Sequence, residues 1–238
     1  MRMRNDHIGA YRPWFIHSDT VCLFEIPTSA LCPLPKPLQA REVRPGVGLL
    51  CVTRCRYAPA NLGWLPAFSE LTVNVIVEPL VEGWTPHFAF YVLSIASSSP
   101  DYDEWTQGAE KMPVFTLDQP RFEGAEDDRW SEIGDAAGPI VRLSHAHPSP
   151  EYRVDVRDCQ VYTEVEGELW SSRVRIHGPM FEHQRRNGDI ALHPHPVFRG
   201  VELDQVERSP WAEWTTKPGE LLVYKHYEAR PLRERSRR

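Results

Sequence analysis

The sequence predicts a mainly β (α+β) fold, a single domain over residues 1–238 of short, mostly antiparallel strands with a few short helices. Three observations point there. Alternating apolar and polar residues recur in short runs, which is the period of a half-buried strand. The chain is punctuated by 22 prolines and 14 glycines, and turns separate the runs. Helix signals are confined to two short stretches. On pattern alone this describes a barrel or sandwich of about ten strands. No internal repeat or linker divides the chain.

The elements follow in order. Residues 1–17 carry aromatic and polar residues without a clear period and are expected to form an N-terminal arm, packed on the body or on a neighbouring subunit. Val21 to Ile26 reads as a strand stopped by Pro27, and Thr28 to Leu31 as one helical turn ended by Pro33 and Pro35. After a turn at Pro45-Gly46, Val47 to Tyr57 is a strand with Cys51 and Cys55 on one side and Arg54 and Arg56 on the other. Two readings stand for that arginine pair: a carboxylate clamp, or a solvated strand end.

The stretch over 64–115 organises the chain. From Phe68 to Glu78, Leu71, Val73, Val75 and Val77 share one face, and Phe68, Glu70, Thr72, Asn74 and Ile76 share the other. The mixed face suits either the wall of a small-molecule cavity or a face that meets water. His87 to Ala96 is apolar on both faces and reads as a central strand. Ser99-Pro100-Asp101 is a helix start, with Ser as N-cap, Pro at the first helical position and acids in the first turn. Pro113 ends that helix, and Lys111 stands at its end, where the dipole favours a cation.

Gly124 to Gly138 is acidic and aperiodic and is expected to be a surface loop. Tyr152 to Glu164 and Leu169 to His177 alternate and are joined as a hairpin through Glu164-Val165-Glu166-Gly167-Glu168, until Gly178-Pro179 breaks the pattern. Ile190 to Pro196 places His193 and His195 on one side of an extended edge with no third metal ligand nearby. Glu220 to Tyr227 is the last strand, and the Arg-rich 230–238 is expected to be a disordered basic tail.

Composition narrows the partners. The net charge is −6, and no basic patch occurs before the tail, which argues against nucleic acid. No apolar run reaches the length of a membrane span, and the first residues lack a signal peptide's apolar stretch, so a cytoplasmic protein is expected. The five cysteines form no zinc pattern and read as buried thiols.

Several motifs resemble the acetoacetate decarboxylase-like superfamily. They are Phe68-Ser69-Glu70-Leu71, the central strand after it, the Pro-started segment, the hydrophobic-Pro step Met112-Pro113, and Ile26-Pro27 through Leu34-Pro35-Lys36-Pro37-Leu38. Their order and spacing span nearly the whole chain. The resemblance implies an antiparallel β-barrel with a largely buried cavity, a small-molecule substrate and homo-oligomeric assembly, without cofactor or metal. The family's type enzymes attack a ketone with a neutral lysine, and the resulting Schiff base serves as an electron sink. Their motif runs Gly-Arg-Glu, hydrophobic-Pro, Lys-Lys. Here Trp105-Thr106-Gln107 falls near the first part, and Val114-Phe115 replaces both lysines.

Glu70 is the one position that matches a family active-site carboxylate. It is expected to point into an enclosed pocket as acid/base or binding group, with Lys111 as the remaining candidate amine. Phe68, Thr72, Asn74, Arg54, Phe115 and Trp64 are the expected substrate-binding residues. Two functions stay open. One is a divergent enzyme that binds a keto acid or polyketide-like compound and performs lyase, dehydratase or cyclisation chemistry. The other is a non-catalytic binding or assembly protein on the same fold.

Overall fold

The computed structural model describes residues 11–58, 65–79, 88–124, 130–145, 152–184, 188–210, 212–216, 221–226 and 230–231. Trp64 lies outside them, as do residues 1–10 and 232–238 of the expected arm and tail.

The first half of the chain holds β1 (Tyr11–Pro27), β2 (Leu38–Ala40), β3 (Val47–Tyr57), β4 (Phe68–Pro79), β5 (Phe88–Ser97) and the one α-helix among the described residues, α1 (Pro100–Ala109). Next come β6 (Arg121–Gly124), β7 (Trp130–Asp135), β8 (Gly138–His145), β9 (Tyr152–Val165), β10 (Glu168–Gln184) and β11 (Gly188–Leu192). The chain closes with β12 (Ala212–Thr216), β13 (Leu221–His226) and β14 (Arg230–Pro231). Ten strands form one sheet, and β11, β8, β7 and β6 form a second.

In the large sheet β1 pairs with β3, β3 with β4, and β4 with β5. β5 then pairs with β9, β9 with β10, β10 with β13, and β13 again with β1. The β5–β9 pair is parallel, so the sheet is mixed where an antiparallel one was expected.

Local chemistry explains the elements that were anticipated. The β9–β10 hairpin turns on Glu166 (φ 54°) and Gly167 (φ 78°). Positive φ at both central residues is the turn whose twist matches paired strands, and glycine takes it without strain. α1 begins at the Ser99 hydroxyl, which accepts from the Tyr102 amide at 3.3 Å. The helix ends at Glu110, and Lys111 follows with φ 57°.

Tyr11 to Ile16 of the expected arm lie on the body as strand, paired residue by residue with β13. Two other expectations are corrected. Gly124 to Gly138, read as a loop, contains β7, because Ile133 faces the core while its neighbour Glu132 stays partly exposed. β10 runs on through Gly178-Pro179, still paired with β9.

Two apolar layers flank β4. Leu71, Val73, Val75 and Val77 pack with Ile133, Ile140, Val141 and Leu143 of the small sheet. On the opposite face Phe68 and Ile76 join Leu23, Leu49, Val92, Ile95, Tyr102 and Trp214. The alternation of β4 is thus a choice between two cores, and Glu70 and Asn74 of the second face are buried rather than wetted. Among the described residues no helix is long and apolar enough to cross a membrane.

Candidate functional site

The second face of β4 meets its neighbours in register. Glu70 stands opposite Cys55 of β3 and Ser97 of β5, and Cys55 stands opposite Asp19 of β1. The sheet therefore carries one polar row, Asp19–Cys55–Glu70–Ser97, across four strands. The next row is Val21–Thr53–Thr72–Ile95.

Two irregularities shape this face. Register shifts in β1 between Ile16 and Ser18, so Ile16 and Asp19, three residues apart, both line the cavity. β5 has the same device: Val73 pairs with Ser94 but Asn74 with Val92, and so Val92 and Ile95 line it together. An extra residue turns the face of a strand.

Glu70 is 5% exposed. It accepts from the Thr72 hydroxyl at 3.0 Å, from the Tyr57 hydroxyl at 3.4 Å, and from the Tyr102 hydroxyl. Burial beside the Glu70 carboxylate pushes both phenols well above the usual tyrosine range, so they stay protonated and keep donating. Their rings hold Phe68 between them. Phe68 stacks on Tyr57 at 4.6 Å and lies against Tyr102 at 4.3 Å.

Asp19 accepts from the Cys55 thiol at 3.0 Å. Burial raises its pKa to about 7, and the neighbouring Glu70 adds to the rise, while the Cys55 contact and Arg54 oppose it. Asp103 on α1 is likewise raised to about 6, by burial first and then by Glu70, with Ser97 opposing. Three carboxyls thus interact on one buried face, and two of them hold protons more tightly than free side chains do.

A cavity of about 150 Å³ opens on this wall. Asp19, Cys55, Tyr57, Glu70, Thr72 and Asn74 give it a polar side, and Ile16, Val21, Phe90, Val92, Ile95 and Met112 give it an apolar one. The Asn74 Oδ1 has no hydrogen-bond partner among the described residues. A second hollow of about 510 Å³ lies where β3 ends and β4 begins, lined by His17, Arg56, Tyr57, Phe68, Ser69 and Ser98 among others. Tyr57 belongs to both.

Phe68, Thr72 and Asn74 share the face of Glu70, as the alternation of β4 requires. Arg54 does not. It is buried on the other face of β3, where its guanidinium donates to the Ser18 hydroxyl at 3.2 Å. Lys111 is absent from the cavity wall, because its ammonium lies over the Trp170 ring, 5.7 Å from the centroid. Its neighbour Met112 lines the cavity instead. Phe115 packs edge-on to His195 at 5.4 Å, away from Glu70.

His195 has its own arrangement. Its Nδ1 accepts from the Val197 amide at 3.2 Å, so the ring proton sits on Nε2, which faces Asp135 Oδ2 at 3.1 Å. Burial pushes Asp135 up, but the Ala137 amide and His195 outweigh it and hold the carboxyl below its usual range. Among the described residues no group of three metal-ligating side chains occurs.

Sequence reasoning missed Asp19, Tyr57 and Tyr102 as parts of the site. The bulge in β1 hides Asp19 from a simple alternation. Tyr102 arrives from α1, and only the docking of that helix on β4 brings its hydroxyl to Glu70.

No protein-family model matches the chain, and a search of curated proteins finds no significant match. Solved structures do resemble it. One is acetoacetate decarboxylase from Legionella pneumophila, at 12% identity and a TM-score of 0.59, covering 99% of this chain and 92% of that one. Another is the enduracididine biosynthesis enzyme MppR complexed with pyruvate, at 14% identity and a TM-score of 0.54, covering 98% and 95%. A third is an acetoacetate decarboxylase-like enzyme from Sphingomonas wittichii, at 10% identity and a TM-score of 0.54, covering 93% of each chain. The chain has the acetoacetate decarboxylase-like fold, and at these identities the likeness is one of fold.

Proposed function

We propose that the chain is a divergent enzyme on the acetoacetate decarboxylase-like fold that moves protons on a small carbonyl compound. In this reading the returning succession of strand pairs is a barrel, and the cavity beside Glu70 is its active site. One observation carries the reading: a buried carboxylate, held by three hydroxyl donors, forms part of the wall of a cavity. Nothing in the packing of the sheet requires that arrangement.

The chemistry follows from two carboxyls with different partners. Glu70 is an acceptor throughout and suits removal of a proton from the carbon next to a carbonyl. Asp19, raised to about 7, still carries its proton near neutral pH and suits donation to the carbonyl oxygen. Proton transfer from carbon to Glu70 and from Asp19 to oxygen gives an enol, the shared intermediate of dehydration, cyclisation and carbon–carbon lyase reactions. Among the described residues no lysine lines the cavity, which favours proton transfer over imine formation. A space of about 150 Å³ takes a reacting end about the size of benzene, which suits a keto acid better than a polyketide-length chain.

The test is exchange of deuterium from heavy water into the α-carbon of a small ketone, followed by proton NMR. The folded protein should catalyse the exchange, and Glu70→Gln should slow it by about 100-fold or more while the fold is kept. A wild type that binds the ketone without exchanging it would instead favour the non-catalytic binding protein.

A further inference from the structure

The polar row across the large sheet sets Cys55 between two carboxyls. It stands opposite Asp19 on one side and opposite Glu70 on the other, and all three line the cavity. The donors around the two acids are unequal. Glu70 accepts from three hydroxyls, those of Tyr57, Thr72 and Tyr102. Asp19 accepts from a thiol, Cys55 Sγ to Oδ1 at 3.0 Å, and from the Thr20 amide. Both ends of the thiol contact are buried. A thiol is a weak donor beside a hydroxyl.

We propose that Cys55 is a positioning residue for the proton transfer: its thiol occupies Asp19 Oδ1 and leaves the acidic proton on Oδ2. The inference rests on the cavity beside Glu70 being the active site, and it adds what makes one carboxyl the acid and the other the base. In a protonated carboxyl the carbonyl oxygen is the better acceptor. The Cys55 contact therefore selects which oxygen of Asp19 carries the proton. Oδ2 gives that proton to the carbonyl oxygen of the substrate while Glu70 takes one from carbon. When the enol reverts, its hydroxyl proton returns to Oδ2, and Glu70, exchanged with solvent in the meantime, returns a deuteron to carbon.

A weak donor suits an acid. A serine hydroxyl at this place would support the Asp19 carboxylate as three hydroxyls support Glu70, and would favour loss of the proton. An alanine would remove the selection between the two oxygens and hold the proton more tightly. The other groups that act on Asp19 stay fixed in both replacements. From β3 these are Arg54, Cys51 and Tyr57, and from β4 Glu70, through which Asp103 of α1 acts in turn. The residues that β5, β9 and β10 bring to the cavity are apolar: Phe90, Val92, Ile95, Val161 and Val174.

The test is the pH profile of deuterium exchange into the α-carbon of 4-oxopentanoate. In the wild type the rate should fall on the alkaline side as Asp19 loses its proton, at about pH 7. In Cys55→Ser that fall should move down by about one pH unit, and in Cys55→Ala up by about as much. The maximal rate of Cys55→Ala should also drop about tenfold, since the contact no longer orients the acid. A purely structural role would change stability and leave the fall at the same pH. A wild-type profile without the fall, or a fall at one pH in all three proteins, would overturn the role of Cys55 and leave Glu70 as the base. Absence of exchange by the folded wild type would overturn both. Infrared spectra of the wild type carry the test if the Cys55 variants fold poorly. One S–H stretching band should change with pH in step with the rate and stay constant in Asp19→Asn. S–H bands that ignore pH in the wild type would overturn the contact.

Discussion

At the scale of single residues, the site works by keeping protons where water would remove them. Asp19 is buried, and its neighbour Glu70 adds to the cost of ionising it. This has a consequence for stability. The folded carboxyl binds its proton up to about pH 7, whereas the unfolded one releases it near 3.8. Between these values the native state holds more protons, so stability falls as pH rises through the window. Asp103, raised to about 6, acts in the same direction. Denaturant unfolding should therefore give a midpoint that declines from pH 4.5 to pH 7.5, and Asp19→Asn should flatten that decline. A midpoint that rises over this range would contradict the buried neutral carboxyl. Glu70 was legible in the sequence because an acid at the third position of an alternating strand must share the face of Thr72 and Asn74. Asp19 was not, because a bulge shifts it onto that face.

At the scale of elements, α1 is the part whose local chemistry reaches furthest into function. Ser99 caps the helix, Pro100 starts it, and that start sets Tyr102 where its hydroxyl meets Glu70. Ser99→Ala removes the cap and should cost about 1 kcal/mol of stability. It should also reduce exchange at the α-carbon, since a frayed first turn no longer fixes Tyr102. A variant with the lost stability and full exchange would show that the helix start does not position the tyrosine. The signals of α1 and of the β9–β10 hairpin lie within a few residues of each other, and so they could be read directly. The strands β6, β7 and β8 could not, because their short segments show their inward residues only once a second sheet exists to cover β4. Lys111 shows the same limit. The sequence places it at the end of a helix, but whether it faces the cavity depends on a left-handed residue and on Trp170, which comes from β10.

At the scale of the whole molecule, two apolar layers hold one strand between them, and they do different work. Leu71, fully buried on the face toward the small sheet, has no contact with the cavity. Leu71→Ala should destabilise the protein by about 2–5 kcal/mol, seen in the unfolding midpoint, with exchange per folded molecule nearly unchanged. A large loss of exchange in the folded variant would mean that the two faces are coupled. The other layer encloses the carboxyls, and the central claim is that a carbonyl compound sits there. A crystal structure of the protein with 4-oxopentanoate tests this most directly. The account predicts electron density for the ketone end within hydrogen-bond distance of Asp19 and Glu70, in the cavity lined by Thr72 and Asn74. Density confined to the surface, with that cavity empty at saturating ligand, would contradict it.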